Sequence, residues 1–340
     1  MPSERDSNRI VIAGASSLLG AELKTLLEDG RFAASDFRLL DEALAAGILT
    51  EAGGEPAVIQ PVESDSFNRA RFVFFTGSPD FTKANLDLAQ RSGALVVDLS
   101  GYSASVPDAV PWFRGFDSFR GQLSSADAKS KLVSIPSTAA EAVVRLTFAL
   151  LDLKLRALSA TVLQPVSGWD KPGIEELEQQ TSHLLAFQPA GTELFGTQVA
   201  FNTMTHFGVE SRFDLQTAAA TLRAEIASCL RGSAIVPAIQ LVHVPVFYGT
   251  TFSICAEVAP SADADAIAGA VTTAGFSVLP AGEAPNNLSV AEETTISLAQ
   301  PATEPAAAGI WWFWGAADNI RVRAWNAVKL AETLVEKFAE

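Results

Sequence analysis

Residues 9–20 read RIVIAGASSLLG: a short apolar run reaches a glycine, two serines follow, and an apolar helical pattern begins. A wholly apolar strand that leads directly into a helix belongs to a sheet covered on both faces, and such sheets are parallel. The pattern recurs. FRLLD, RFVFFTG with FTKANLDLAQRSG, ALVVDLSG and KLVSI repeat it as far as residue 135, interrupted only between about 102 and 129. This alternation predicts an α/β chain whose first part, residues 1–133, is a Rossmann-type doubly wound parallel sheet. Gly30 and Gly93 fall just after helical runs, where left-handed caps are expected.

Beyond residue 133 the grammar changes. Longer strands (LSATVLQPVSG, QLVHVPVFYG, TTFSICAEV, GIWWFWG) mix with helices over 139–153, 173–187 and 213–231, and QPATEPAAAG reads as a loop. A second α+β domain with a mixed sheet is therefore expected over 134–319. A last helix over 320–340 is expected to pack back on the first domain.

At 340 residues and 48% apolar side chains, both domains can bury a core. A formal charge of −15 disfavours nucleic acid and anionic membranes as partners, while a small anionic ligand held by backbone N–H groups stays open. No stretch is long and apolar enough to suggest a membrane span, and residues 9–21 fit a strand, turn and helix better than a signal-peptide core. The two cysteines, Cys229 and Cys255, form no CxxC or Cys/His cluster. No metal site or disulfide framework follows, and a reducing, cytoplasmic location is the expectation.

The turn Gly14, Ala15, Ser16, Ser17, Leu18, Leu19, Gly20 is the first chemical candidate. A tight glycine turn at a helix N-terminus presents backbone N–H groups to a pyrophosphate. Ser17 stands where a middle glycine is usual, so the motif is incomplete, and a structural turn that binds nothing is the alternative. Asp41 and Glu42 end the second strand, where an acid accepts ribose hydroxyls and repels a 2′-phosphate, so NAD is favoured over NADP.

In order along the chain, RIVIAGASSLLGAEL, VFFTGS, VVDLSG, QPVSGWDKPGIEELEQQT, FNTM, VPVFYG and ADNIRVRAWNAVKLAETL resemble landmarks of the aspartate-semialdehyde dehydrogenase family. The likeness spans essentially the whole chain, and is greatest to shorter bacterial paralogues without the catalytic cysteine. The resemblance implies a two-domain homodimer, a second cofactor loop at Gly77, and NADPH-linked reduction of β-aspartyl phosphate through a cysteine thioester.

This chain departs from the residues that the family's chemistry requires. Aligning Pro136 puts Ser137 and Thr138 at the nucleophile turn. Thr250 stands where the family's histidine follows VPVFYG, and His243 stands where its anion-clamping arginine lies. An alcohol lacks a thiolate's reactivity, and a neutral imidazole cannot copy a guanidinium fork. Thr138 and Glu141 instead fit a helix capping box. Gln164 and the Ser167-Gly168 pair persist.

Other candidates read as structure. Cys229 and Cys255 are expected to be buried, His183 to lie at the surface, and His206 and His243 to be too few for a metal site. The run of Trp311, Trp312, Phe313 and Trp314 suits either a core or a dimer interface. Three readings follow: a catalytically degenerate family member that dimerises and binds NAD; an active NAD(P)-dependent semialdehyde dehydrogenase with altered substrate or a displaced nucleophile such as Cys255; and an interaction protein without a nucleotide.

Overall fold

The computed structural model describes residues 8–43, 45, 47–120, 130–233 and 235–337. It divides into one unit formed by residues 1–137 and 323–340 and a second formed by 138–322.

The first unit runs β1 (Arg9–Ala13), α1 (Leu18–Glu28), β2 (Asp36–Asp41), β3 (Leu49–Ala52), β4 (Glu55–Val58), β5 (Gln60–Pro61), β6 (Ala70–Phe75), α2 (Pro79–Arg91), β7 (Leu95–Asp98), β8 (Val110–Pro111), α3 (Asp117–Arg120) and β9 (Leu132–Ser134). Seven strands form an all-parallel sheet in the order β5-β2-β1-β6-β7-β9-β8. Strand alternation divides its apolar residues between two cores. Ile10, Ile12, Phe72 and Phe74 pack with Leu23 and Leu27 of α1 and with Ala324, Val328 and Ala331 near the C-terminus. Val11, Val73 and Phe75 pack on the other face with Phe81 and Leu86 of α2.

The second unit contains α4 (Thr138–Leu151), β10 (Ala157–Gln164), α5 (Asp170–Leu185), α6 (Leu215–Cys229), β11 (Ala238–His243), β12 (Thr250–Glu257), α7 (Ala264–Thr273), β13 (Ser277–Val278), β14 (Ser297–Leu298), β15 (Ala302–Thr303) and β16 (Ile310–Ala317); α8 (Arg321–Lys337) follows. Its sheet is mixed. β10 pairs parallel with β11 and antiparallel with β12, and β12 pairs antiparallel with β16. The expected fold class, a parallel Rossmann-type sheet with a separate mixed sheet, is what the chain adopts. Helix α4 is buried along most of its length; its Glu141–Arg145 ion pair closes at 2.6 Å and Arg145 also donates to the Ala274 carbonyl at 2.7 Å.

Four local expectations need correction. Gly93 takes a left-handed φ of 82°, but Gly30 does not, because Asp29 caps α1 in a right-handed conformation. The β3–β4 hairpin was not anticipated, although Gly53 and Gly54 both have positive φ, as a tight two-residue hairpin turn requires. The strand in QLVHVPVFYG stops at His243, since Pro245 has no N–H to continue a ladder. Within the expected loop QPATEPAAAG, Ala302 and Thr303 form the two-residue strand β15 against β16.

Candidate functional site

In the first unit, β2 and β6 flank β1, so the chain leaves β1 to one side and later returns to the other. The carboxyl ends of strands at such a switch point are where α/β sheets bind ligands. Here the β1 turn is held tightly. Gly14 has φ 96°, and a Cβ on it would collide with the backbone nitrogen of Gly77 in the turn after β6. A Cβ on Gly20 would collide with the Gly14 carbonyl oxygen. The two glycine turns therefore touch backbone to backbone.

Ser17 caps α1. Its Oγ accepts from the Gly20 N–H at 2.9 Å and faces the carbonyl oxygens of Gly14 at 2.7 Å and Thr76 at 3.0 Å. The side chain thus turns into the fold, away from any phosphate approach. Asp41 is buried, with Oδ2 accepting from the Ser16 N–H at 2.7 Å and Oδ1 from the Glu42 N–H at 2.8 Å. Part of its hydrogen-bonding capacity braces the turn; Glu42 is the exposed acid of the pair. The turn lies at the positive end of α1, but its own N–H groups are engaged: Gly14 and Ala15 donate to the Leu40 carbonyl, Ser16 to Asp41, Ser17 to the Gly14 carbonyl and Gly20 to Ser17 Oγ. A pyrophosphate placed here would rest on the field of the α1 N-terminus more than on free N–H groups of the turn, with Asp41 at the ribose.

In the second unit, the positions compared above with the family's nucleophile and base are parts of a structural node. Thr138 lies inside the first turn of α4, so the cap position falls to Ser137. The Thr138 hydroxyl approaches the carbonyls of Asp318 and Asn319 at 3.5 and 3.3 Å, while the Glu141 carboxylate accepts from Arg145 at 2.7 Å. The anticipated Thr138–Glu141 box is displaced by these contacts, since a helix starting at Thr138 places Glu141 one residue beyond the box position. Asn319 draws the surrounding segments together: Oδ1 accepts from the Gly249 N–H at 2.9 Å and Nδ2 donates to Ser167 Oγ at 3.1 Å. Asp318 caps α8 by accepting from the N–H groups of Ile320 and Arg321, and accepts from the Glu292 N–H at 3.0 Å. Thr250 is buried as the first residue of β12. Gln164 ends β10 half-buried, its side chain against Gly168.

His243 is fully buried in an aromatic box. Its ring lies 6.0 Å from Phe195 and 5.4 Å from Phe207, and Trp169 and Phe213 stack behind them at 4.8 Å. Neither ring nitrogen has a hydrogen-bond partner. Burial, opposed by the Val199 backbone, pushes its pKa down to about 4. A neutral ring in an aromatic box cannot clamp an anion. His206 is exposed against Thr205 and Gln216, and so does not meet His243; His183 is half-buried on α5. Among the described residues no three His, Cys, Asp or Glu gather as metal ligands.

The mixed sheet separates the remaining candidates by alternation. Trp311 and Phe313 enter the core, whereas Trp312 and Trp314 are 43% and 37% exposed. Opposite them in the ladder, Cys255 pairs with Trp312 and Ser253 with Trp314. Cys229 is buried as expected, but Cys255 is half-exposed, because β12 presents alternate residues to this outer face. Partial burial and Glu304 raise the Cys255 pKa, which opposes thiolate formation.

Sequence reasoning did not assign Asn319 or Asp318 a role, although Asp-Asn ahead of a helix is a capping signal. Nor did it find the box, whose rings lie far apart along the chain. No helix among the described residues is long and apolar enough to cross a membrane.

The model of a family described as semialdehyde dehydrogenase, dimerisation domain, matches residues 148–322. The USG-1 protein homolog of Pseudomonas aeruginosa is 27% identical over 337 residues, covering 97% of this chain and 98% of that protein. A solved structure of a probable aspartate-semialdehyde dehydrogenase from Pseudomonas aeruginosa superposes with TM-score 0.85 at 26% identity, covering 98% of this chain and all of that one. An aspartate-semialdehyde dehydrogenase from Candida albicans, solved with NADP, shares the fold at TM-score 0.67 and 16% identity, covering 97% and 98% of the two chains.

Proposed function

Because this chain belongs to the semialdehyde dehydrogenase family defined by its dimerisation domain, we propose that it is a catalytically degenerate member that binds a dinucleotide and acts as a homodimer. The observation that carries this reading is the fate of the three catalytic positions. Thr138 hydrogen-bonds backbone carbonyls, Thr250 starts a buried strand, and His243 sits without a polar partner among aromatic rings. The mechanism common to relatives needs a nucleophile, a base and an anion clamp together, and their contributions are lost together. Cys255 supplies no substitute, since its thiol is held protonated on the sheet's outer face.

The β1 and β6 turns would hold the dinucleotide, whose nicotinamide supplies hydride transfer when bound. The Asp41 charge disfavours a 2′-phosphate, so NAD is the preferred form even though the Candida albicans relative was solved with NADP. The half-exposed sheet face carrying Ser253, Cys255, Trp312 and Trp314, aromatic and without a charge among these four, suits an isologous dimer.

The test combines ligand binding with turnover. NAD is expected to raise the melting temperature more than NADP, with no phosphate-dependent reduction of either by the native protein or by Thr138→Cys when aspartate semialdehyde is supplied. Turnover by the native protein would end the degenerate reading; no thermal shift at millimolar NAD would remove the dinucleotide from it.

A further inference from the structure

His243 does more than leave a clamp unfilled. Residues 194–213 fold over the carboxyl end of β11, and the Met204–His243 bridge attaches them there: Met204 N–H donates to the His243 carbonyl at 3.2 Å and His243 N–H to the Met204 carbonyl at 2.8 Å. The segment is anchored separately at its start. Glu176 on α5 accepts from the N–H groups of Leu194 and Phe195, and Gln180 accepts from Val199 N–H at 2.7 Å. The Gly208 N–H returns to the Phe195 carbonyl at 3.0 Å, which closes residues 195–208 into a loop pinned at its base. The His243 imidazole lies inside that loop's aromatic lining, with both nitrogens unpaired.

We propose that His243 is a proton-operated latch: acidification charges its ring inside an aromatic box that offers it no counter-charge, and residues 201–207 lift away from β11. The open loop hydrates the imidazole and restores an ordinary histidine affinity for protons, whereas the closed loop does not, so protons favour opening by linkage. No opposing charge cancels the effect. β10 and β11 carry no charged residue apart from His243 itself. On α5, Glu176 is occupied by the segment's amides. In the segment, Glu193, Glu210, Arg212 and Asp214 are exposed, as is His206. On α6, which packs on β11, Arg223 donates to the Ile239 carbonyl and Glu225 is buried. None of these contributes to the lowered proton affinity, which arises from burial.

The sign follows from the direction of that shift. The closed state binds fewer protons than the open one between the ordinary histidine range and about pH 4. The closed loop is therefore fully favoured above pH 6.5 and loses ground as pH falls, with the opening constant rising about tenfold per pH unit below 6.

Amide exchange on the full-length protein, corrected for intrinsic rates, provides the test. Protection at residues 201–207 is expected to fall about tenfold per unit between pH 6 and 5, reversibly, while α4 stays protected, and His243→Leu is expected to abolish the slope. Should that variant fail to fold, ring-proton NMR of the native chain decides, since it contains three histidines. One ring is expected to resist protonation well below the usual histidine range and to charge together with loop opening. A flat exchange profile in the native protein, the same slope in His243→Leu, or three rings that all charge in the ordinary range would each overturn the latch.

Discussion

The β1 turn and the node around Thr138 differ in what holds their geometry. In the turn the backbone does this: Gly14 and Gly20 are fixed by backbone approaches that a side chain would block, and Ser17 turns its hydroxyl inward. In the node, side chains do this: Asn319 bonds both Ser167 and Gly249, and the Thr138 hydroxyl faces the carbonyls of Asp318 and Asn319. A backbone-built site resists side-chain drift because its selectivity lies in N–H groups and φ angles. A side-chain site can lose its chemistry without losing its shape.

The largest expected effect tests the turn. Gly14→Ala introduces a side chain at φ 96° and against Gly77, and should cost on the order of 3 kcal/mol or more, read by denaturant unfolding. Next comes its brace: Asp41→Ala removes the acceptor for two N–H groups and should cost about 1–3 kcal/mol. Asp41→Asn, which keeps an acceptor oxygen, should cost less and should narrow the preference for NAD over NADP in calorimetry. The smallest effect belongs to the node. Thr138→Val preserves shape but removes a hydroxyl donor from the carbonyls of Asp318 and Asn319, and should cost about 1 kcal/mol. A cost far above that would make Thr138 more than a minor contributor to the node.

The parallel sheet was legible because each strand carries its own local signal: RIVIA and ARFVFF are apolar apart from Arg9 and Arg71, and Ser17 and Ser78 cap the helices that follow. The turn from Gly14 to Gly20 was legible for the same reason, since it is one short continuous segment between β1 and α1. The node and the box were not, because their members come together only in three dimensions. Asn319 bonds residues 152 and 70 positions away, and Trp169 meets Phe213 across the intervening α5. By sequence the tryptophan run suits either a core or an interface; its alternation gives one buried and one open face, and which face is open is tertiary information.

The discontinuity of the first unit has a practical consequence. Ala324, Ala327, Val328, Leu330 and Ala331 belong to the core that also holds Ile10 and Phe72, although more than half the chain separates them in sequence. During synthesis that core lacks one wall until the last residues leave the ribosome, so an N-terminal fragment ending at Ser137 would expose apolar surface and precipitate rather than fold. Isolating the turn for ligand studies therefore calls for a linker that splices residues 323–340 directly onto 1–137, not for a simple truncation.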